Sequence, residues 1–179
     1  MSRSRGGMAG SRAARPLNPV AWLLLPALVV MLATFLLAAP VHIFGFGLPE
    51  PVFAVGLAFA WALVRPSLIA PFALLLVGLW LDLFWGAPTG LWGLSLLLGY
   101  AAVLGARPLV SGQGYVGSWA FYVATTAVVL AAAYLFTMLD ARVRPNLWAV
   151  LSQALFTGLL YPLVNRLIEL FEDVDTRFR

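Results

Sequence analysis

Few residues in this chain are of types that carry out chemistry. It has no cysteine and one histidine, His42, and with Glu50 alone nearby that histidine lacks the three protein ligands of a typical zinc site. Gly112, Gly114 and Gly117 are not followed by the Lys-Ser/Thr of a phosphate-binding loop. No His-Glu-x-x-His or Gly-x-Ser-x-Gly motif occurs either. We therefore predict a protein that is not an enzyme, with no catalytic residue, no metal and no cofactor.

One carboxylate, Asp82, lies inside an apolar run, GLWLDLFWGAPTG at positions 78–90. An ionisable group within a membrane span is by default a functional hypothesis. The turn from Gly86 to Gly90 is expected to bring the next helix back antiparallel. The first N–H groups of that helix, with Thr89 as a cap, would then attract the carboxylate. Two interpretations follow: Asp82 closes a helical hairpin, or it anchors a partner or a ligand.

Small residues recur at helical spacing around this carboxylate. Gly78, Asp82 and Gly86 are four residues apart, so they share one face of a helix. Ser95 and Gly99 form a similar pair in the following apolar run. Because small residues let helix backbones approach closely in lipid, both faces are predicted to be helix contacts.

The composition is that of an integral membrane protein. Of 179 residues, 63% are hydrophobic and 10% charged, and the mean hydropathy is +0.96. Soluble domains are roughly 45–50% apolar and about 25% charged. The eleven basic residues are all arginines, and the net charge of +4 is concentrated in the first fifteen residues. This distribution is typical of membrane ends and tails, so we expect no nucleic-acid partner.

Apolar runs long enough for a bilayer core, about 20 residues each, recur along the chain. They predict an all-α bundle of about six transmembrane helices over 20–171, between an Arg-rich tail (1–19) and a short tail (172–179). Pro66 is placed in the first turn of the third helix, where a proline is well tolerated. Arg107 and Pro108 are expected to end the fourth. The predicted spans are 20–40, 49–64, 66–85, 89–106, 117–139 and 147–170.

The arginines predict the orientation of this bundle, because basic residues near span ends are retained in the cytoplasm. With both termini cytoplasmic, six spans place nine arginines inside and two, Arg142 and Arg144, outside. Five spans would move these two inside but would leave the C-terminal arginines outside. The distribution favours six spans.

The segment 65–91 resembles the rod shape-determining protein MreD family of bacteria. The family pattern is an Arg-Pro opening, a Gly-Leu-x-x-Asp, a Gly, and a Pro-x-Gly that leads into the next span. Thr89 stands where the family often has leucine. The resemblance is specific over 65–107, and elsewhere it rests on hydropathy. The residues that match the pattern are Arg65, Pro66, Gly78, Asp82, Gly86, Pro88 and Gly90.

The resemblance implies a multi-pass protein of the bacterial inner membrane that acts as a non-enzymatic scaffold in peptidoglycan elongation and maintains cell shape. Its implied partners are MreC and, indirectly, the MreB filament, RodA and a class B penicillin-binding protein, within membrane lipid. The family is also similar in fold to substrate-binding membrane subunits of energy-coupling transporters. A small-molecule-binding transporter subunit is therefore the alternative. The scarcity of polar side chains in the spans favours the scaffold, because a ligand site needs several convergent polar groups.

Overall fold

The described part of the chain forms seven helices and one pair of very short β-strands. The computed structural model describes residues 19–37, 42–43, 46–47, 50–64, 66–110, 112–141 and 146–177. The two strands, β1 (His42–Ile43) and β2 (Phe46–Gly47), pair antiparallel. The helices are α1 (Pro19–Leu37), α2 (Phe53–Val64), α3 (Ala70–Trp85), α4 (Leu91–Val110), α5 (Tyr115–Ala141), α6 (Leu147–Leu159) and α7 (Tyr161–Arg177).

The helical, apolar character predicted from the sequence is confirmed. Within the described residues, three helical stretches are long and apolar enough to cross a membrane: Leu91–Val110, Tyr115–Asp140 and Leu147–Glu169. Three shorter apolar helices accompany them, in α1, α2 and α3. Large apolar side chains cover the outer surface of the bundle, Leu28, Leu83 and Leu135 among them. A surface of this kind faces lipid, which indicates a membrane protein.

Helix α2 is the core of the molecule. Its sequence, FAVGLAFAWALV, is apolar on every face, and every residue from Ala54 to Ala62 is buried. It packs against α1, α3, α4, α5 and α7. A helix that is apolar all round is buried among other elements rather than placed at a surface. With twelve residues it is about 18 Å long, well short of the roughly 30 Å hydrocarbon core.

The third helix begins later than the sequence predicts. Helix α3 starts at Ala70, and Pro71, rather than Pro66, occupies its first turn. Ser67 Oγ accepts a hydrogen bond from the Ala70 N–H at 3.2 Å. Ser67 therefore satisfies one of the N–H groups that every helix start leaves without an intrahelical partner. Pro66 lies outside the helix and is exposed.

The fourth helix ends later than predicted, because Arg107 and Pro108 lie inside it and α4 continues to Val110. Pro108 has no N–H, so α4 loses only the hydrogen bond that residue 108 would donate to the Leu104 carbonyl, close to the end of the helix. Arg107 Nε donates to the carbonyl oxygen of Leu63 at 3.1 Å. A cation at the C-terminal end of α2 is favourable for the helix dipole, so Arg107 ties α4 to the core helix.

The predicted sixth span is two helices, α6 and α7, divided at Leu160. Pro162 has no N–H, so the carbonyl of Gly158 lacks its usual helical donor. Trp119 Nε1 of α5 donates to that carbonyl at 3.3 Å instead. Helix α7 then continues to Arg177, so most of the segment assigned to a short tail is helical.

Candidate functional site

Asp82 closes the hairpin between α3 and α4. Its side chain is 1% exposed. Oδ2 accepts from the Gly90 N–H at 2.6 Å, and Oδ1 accepts from the Trp92 N–H at 2.9 Å. The predicted contact between this carboxylate and the start of the next helix is therefore present. The acceptors at this helix start come from Asp82 rather than from Thr89, the cap that the sequence suggested.

The turn depends on two glycines with left-handed backbone angles. Gly86 has φ of 63° and Gly90 has φ of 93°. The backbone carbonyl of Asp82 accepts the N–H groups of Gly86 and Ala87, the latter at 2.8 Å. A Cβ atom added at either glycine would meet nothing within 4 Å. Gly86 is therefore needed for its left-handed backbone angles. The prediction that it provides a close helix contact is wrong.

Gly78 does provide such a contact, and its partner is Gly93. A Cβ atom added at Gly78 would overlap the Cα and N atoms of Gly93, so the backbones of α3 and α4 touch there. Sequence reasoning missed Gly93, although the two glycines lie at nearly equal distances along the chain from Gly86. In α4, Gly99 does the same for α5, because an added Cβ would overlap Cγ2 of Val129.

The predicted motif divides between the two ends of α3. Gly78, Asp82, Gly86, Pro88 and Gly90 come together at the hairpin. Pro66 lies before the opposite end of this sixteen-residue helix, about 24 Å away along its axis. Arg65 lies outside the described residues. The hairpin alone is therefore the candidate site, and Pro66 belongs to the far side of the bundle.

A second polar cluster beside the hairpin was missed by the sequence reasoning. Glu50 Oε2 accepts from Trp85 Nε1 at 2.9 Å, and its backbone carbonyl accepts from Gln153 Nε2 at 3.1 Å. Nearby, Thr157 Oγ1 accepts from the Val52 N–H at 3.1 Å. These bonds join the segment before α2 to α3 and α6.

These contacts give Glu50 a structural role. Among the described residues, no group of three His, Cys, Asp or Glu side chains could hold a metal ion. The side chain of His42, the other residue weighed as a ligand, lies outside the described residues.

An open cavity of about 340 Å³ lies beside the hairpin. Its walls are the Gly86–Pro88 turn, the start of α4, and parts of α5 and α6. Its polar side chains include Tyr134, Thr137 and Gln153, and none of the described lining residues is charged. The Thr137 hydroxyl donates to the Ala133 carbonyl at 2.8 Å, which leaves its oxygen free to accept. The volume is at the lower end of the range of about 300–1,000 Å³ for small-molecule sites.

The hairpin positions helices, because both oxygens of its buried carboxylate are engaged by backbone N–H groups. The cavity beside it offers neutral hydrogen-bonding groups. The chain matches no family model, no curated protein and no solved structure.

Proposed function

We propose that this chain is a non-enzymatic membrane scaffold of the rod-shape machinery that elongates bacterial peptidoglycan. The observation that carries the proposal is the hairpin closed by Asp82, where a buried carboxylate fixes α4 against α3 through two backbone hydrogen bonds. The part of the resemblance from Gly-Leu-x-x-Asp to Pro-x-Gly runs through the same hairpin. A scaffold requires a rigid surface of defined shape, and this hairpin supplies one.

Helix α3 also offers a surface for a partner. Phe72, Leu76, Leu79 and Leu83 are all exposed, the last at 78%. They follow one another at intervals of four, three and four residues, so they form a single apolar stripe. The closed hairpin holds this stripe in a fixed orientation. In this proposal the stripe packs against a transmembrane helix of a partner of the MreC type.

The proposal includes a six-span arrangement in the inner membrane with both termini in the cytoplasm. The antiparallel sequence of helices is compatible with it. Glu50, Trp85 and Gln153 meet at one end of the bundle, whereas Arg107 and Leu63 meet at the other. In this proposal, MreC links the chain indirectly to MreB, RodA and the class B penicillin-binding protein.

Copurification tests the proposal. A tagged chain extracted in mild detergent is expected to recover an MreC-like protein in a fixed ratio. A matched variant, Leu83→Arg, places a charge on the α3 stripe and should lower that recovery. Leu135→Arg, on the exposed face of α5, is the control and should leave it unchanged. Absence of the MreC-like protein from the wild-type preparation, with the chain folded, would contradict the scaffold.

The cavity favours a second candidate function, a small-molecule-binding membrane subunit of a transporter. Tyr134, Thr137 and Gln153 converge on one partly apolar space, as binding sites require. Thermal unfolding with a panel of small neutral polar compounds tests this function. A transporter subunit should be stabilised by one compound, and Thr137→Val should remove that stabilisation. If no compound raises the melting temperature, the scaffold alone stands.

A further inference from the structure

Another concave surface shares no lining residue with the hairpin cavity. It is a groove of about 390 Å³ whose floor is α2 and whose walls are α1 and α7. Leu57 in the floor is fully buried, whereas Val29 and Leu163 on the walls are 57% and 59% exposed. Of the described residues that line the groove, Arg166 alone has a polar side chain. The groove is therefore lined by apolar side chains, with the guanidinium group of Arg166 beside it.

The groove is short compared with a membrane. The wall formed by Leu160 and the start of α7 extends to Leu167, a rise of about 10 Å. A transmembrane helix crosses about 30 Å of hydrocarbon, whereas the acyl chain of a lipid occupies one leaflet, about half that depth. The dimensions therefore fit a single acyl chain better than a complete transmembrane helix.

Arg166 stands where the headgroup of such a lipid would lie. It is exposed, and it is three residues before the end of the membrane-length stretch Leu147–Glu169. Arginines near the ends of spans extend their guanidinium groups to the interface, where phosphate groups lie. The carboxylate of Glu169 has another partner, because its Oε1 accepts from Asn165 Nδ2 at 2.7 Å.

We propose that this groove binds one anionic phospholipid, with an acyl chain between α1 and α7 and the phosphate on Arg166. Two observations carry the proposal: an apolar lining short enough to lie within one leaflet, and one guanidinium beside it. The proposed lipid site shares no lining residue with the hairpin cavity. It is independent of whether the protein is a scaffold or a transporter subunit.

Native mass spectrometry of the purified full chain tests the site. Phosphatidylglycerol and phosphatidylcholine with the same acyl chains are added in equal amounts to the detergent solution. The wild type should retain one phosphatidylglycerol in preference to phosphatidylcholine. Arg166→Gln should lower this preference about fivefold, as expected for one basic residue at an anionic headgroup. Arg166→Lys should keep most of it.

A second pair of variants tests the groove itself. Val29→Trp places a large side chain over it and should lower retention of both lipids. Leu28→Trp is the matched control, because Leu28 is equally exposed on α1 but does not line the groove, and it should bind as the wild type does. Melting temperatures confirm that all variants are folded.

Two results would overturn the proposal. One is a lipid preference that Arg166→Gln leaves unchanged, together with a lipid retention that Val29→Trp leaves unchanged. The other is a wild-type dimer that Val29→Trp converts into a monomer, because a helix of a second copy would then be the occupant of the groove.

Discussion

At the scale of single residues, the structure explains why a chain this apolar keeps a buried carboxylate. Removing a carboxylate from water costs several kcal/mol unless hydrogen bonds compensate for it. At Asp82 two backbone N–H groups do so, at 2.6 and 2.9 Å, and the positive end of the α4 dipole adds to them. A carboxylate presents acceptors only, so each of its oxygens can satisfy one of these donors.

Asp82→Asn is therefore expected to destabilise the fold, even though it keeps the shape of the side chain. An amide has one acceptor oxygen, so its NH₂ group must face the second backbone N–H. The loss of one charge-assisted hydrogen bond should lower the free energy of unfolding by about 1.5–3 kcal/mol. An unfolding titration in mixed micelles measures this change.

Glu50→Gln is the control for Asp82→Asn. The glutamine keeps an oxygen that can accept from Trp85 Nε1, so stability should stay within about 0.5 kcal/mol of the wild type. If both amide substitutions lowered the free energy of unfolding equally, the contacts of Asp82 with the start of α4 would not explain the destabilisation by Asp82→Asn.

How much of the site was predictable depends on separation along the chain. Asp82 and its two donors lie eight and ten residues apart across a short turn, so the spacing alone indicated the contact. The bond from Trp85 to Glu50 joins residues 35 apart, and the bond from Gln153 to Glu50 joins residues 103 apart. No local pattern encodes such contacts, since they depend on how the helices pack.

At the scale of elements, the close approach of α3 and α4 is the contact most sensitive to substitution. Gly78→Ala should lower the free energy of unfolding by about 1–3 kcal/mol or more, because its Cβ meets the backbone of Gly93, which cannot move aside easily. The mixed-micelle titration again applies.

Gly105→Ala is the matched control in the interior of α4. An added Cβ there meets nothing within 4 Å. Alanine is the better helix former, so stability should rise by about 0.5–1 kcal/mol. Equal effects of the two substitutions would contradict the close contact at Gly78.

The break between α6 and α7 gives a prediction of its own. Trp119→Phe removes the indole donor to the Gly158 carbonyl and should lower the free energy of unfolding by about 0.5–1.5 kcal/mol. In a Pro162→Ala background, the new N–H of residue 162 can donate to that carbonyl. Trp119→Phe should then lower the free energy of unfolding by less. A double-mutant cycle measures the difference, and equal costs in both backgrounds would refute this account of the break.

Hydropathy predicted the positions of the helices well and their ends less well. Three of the errors occur at prolines. The position of a proline within a helical turn decides whether it begins the helix, interrupts it or is tolerated in it. Pro66 was expected inside α3, Pro108 was expected to end α4, and Pro162 was not recognised as a break. Only the hydrogen bonds around each proline distinguish these cases.

At the scale of the whole molecule, the helices surround α2, and the arginines are expected to orient the bundle. Reporter fusions at Arg179 and near Gly112 should both report the cytoplasm, and a fusion near Ala87 should report the outside. A cytoplasmic signal near Ala87, or an external C-terminus, would exclude the six-span arrangement.

The most direct test of the scaffold is cell shape after replacement of the gene in a rod-shaped host. At equal levels in the membrane, Asp82→Leu removes the acceptor of two N–H groups, one of them buried, and Gly86→Leu strains a left-handed position, so both should widen and round the cells. Both should also reduce recovery of the MreC-like partner, whereas Gly105→Leu should leave rods of normal width. Normal rods and unchanged partner recovery in both hairpin variants would contradict the account.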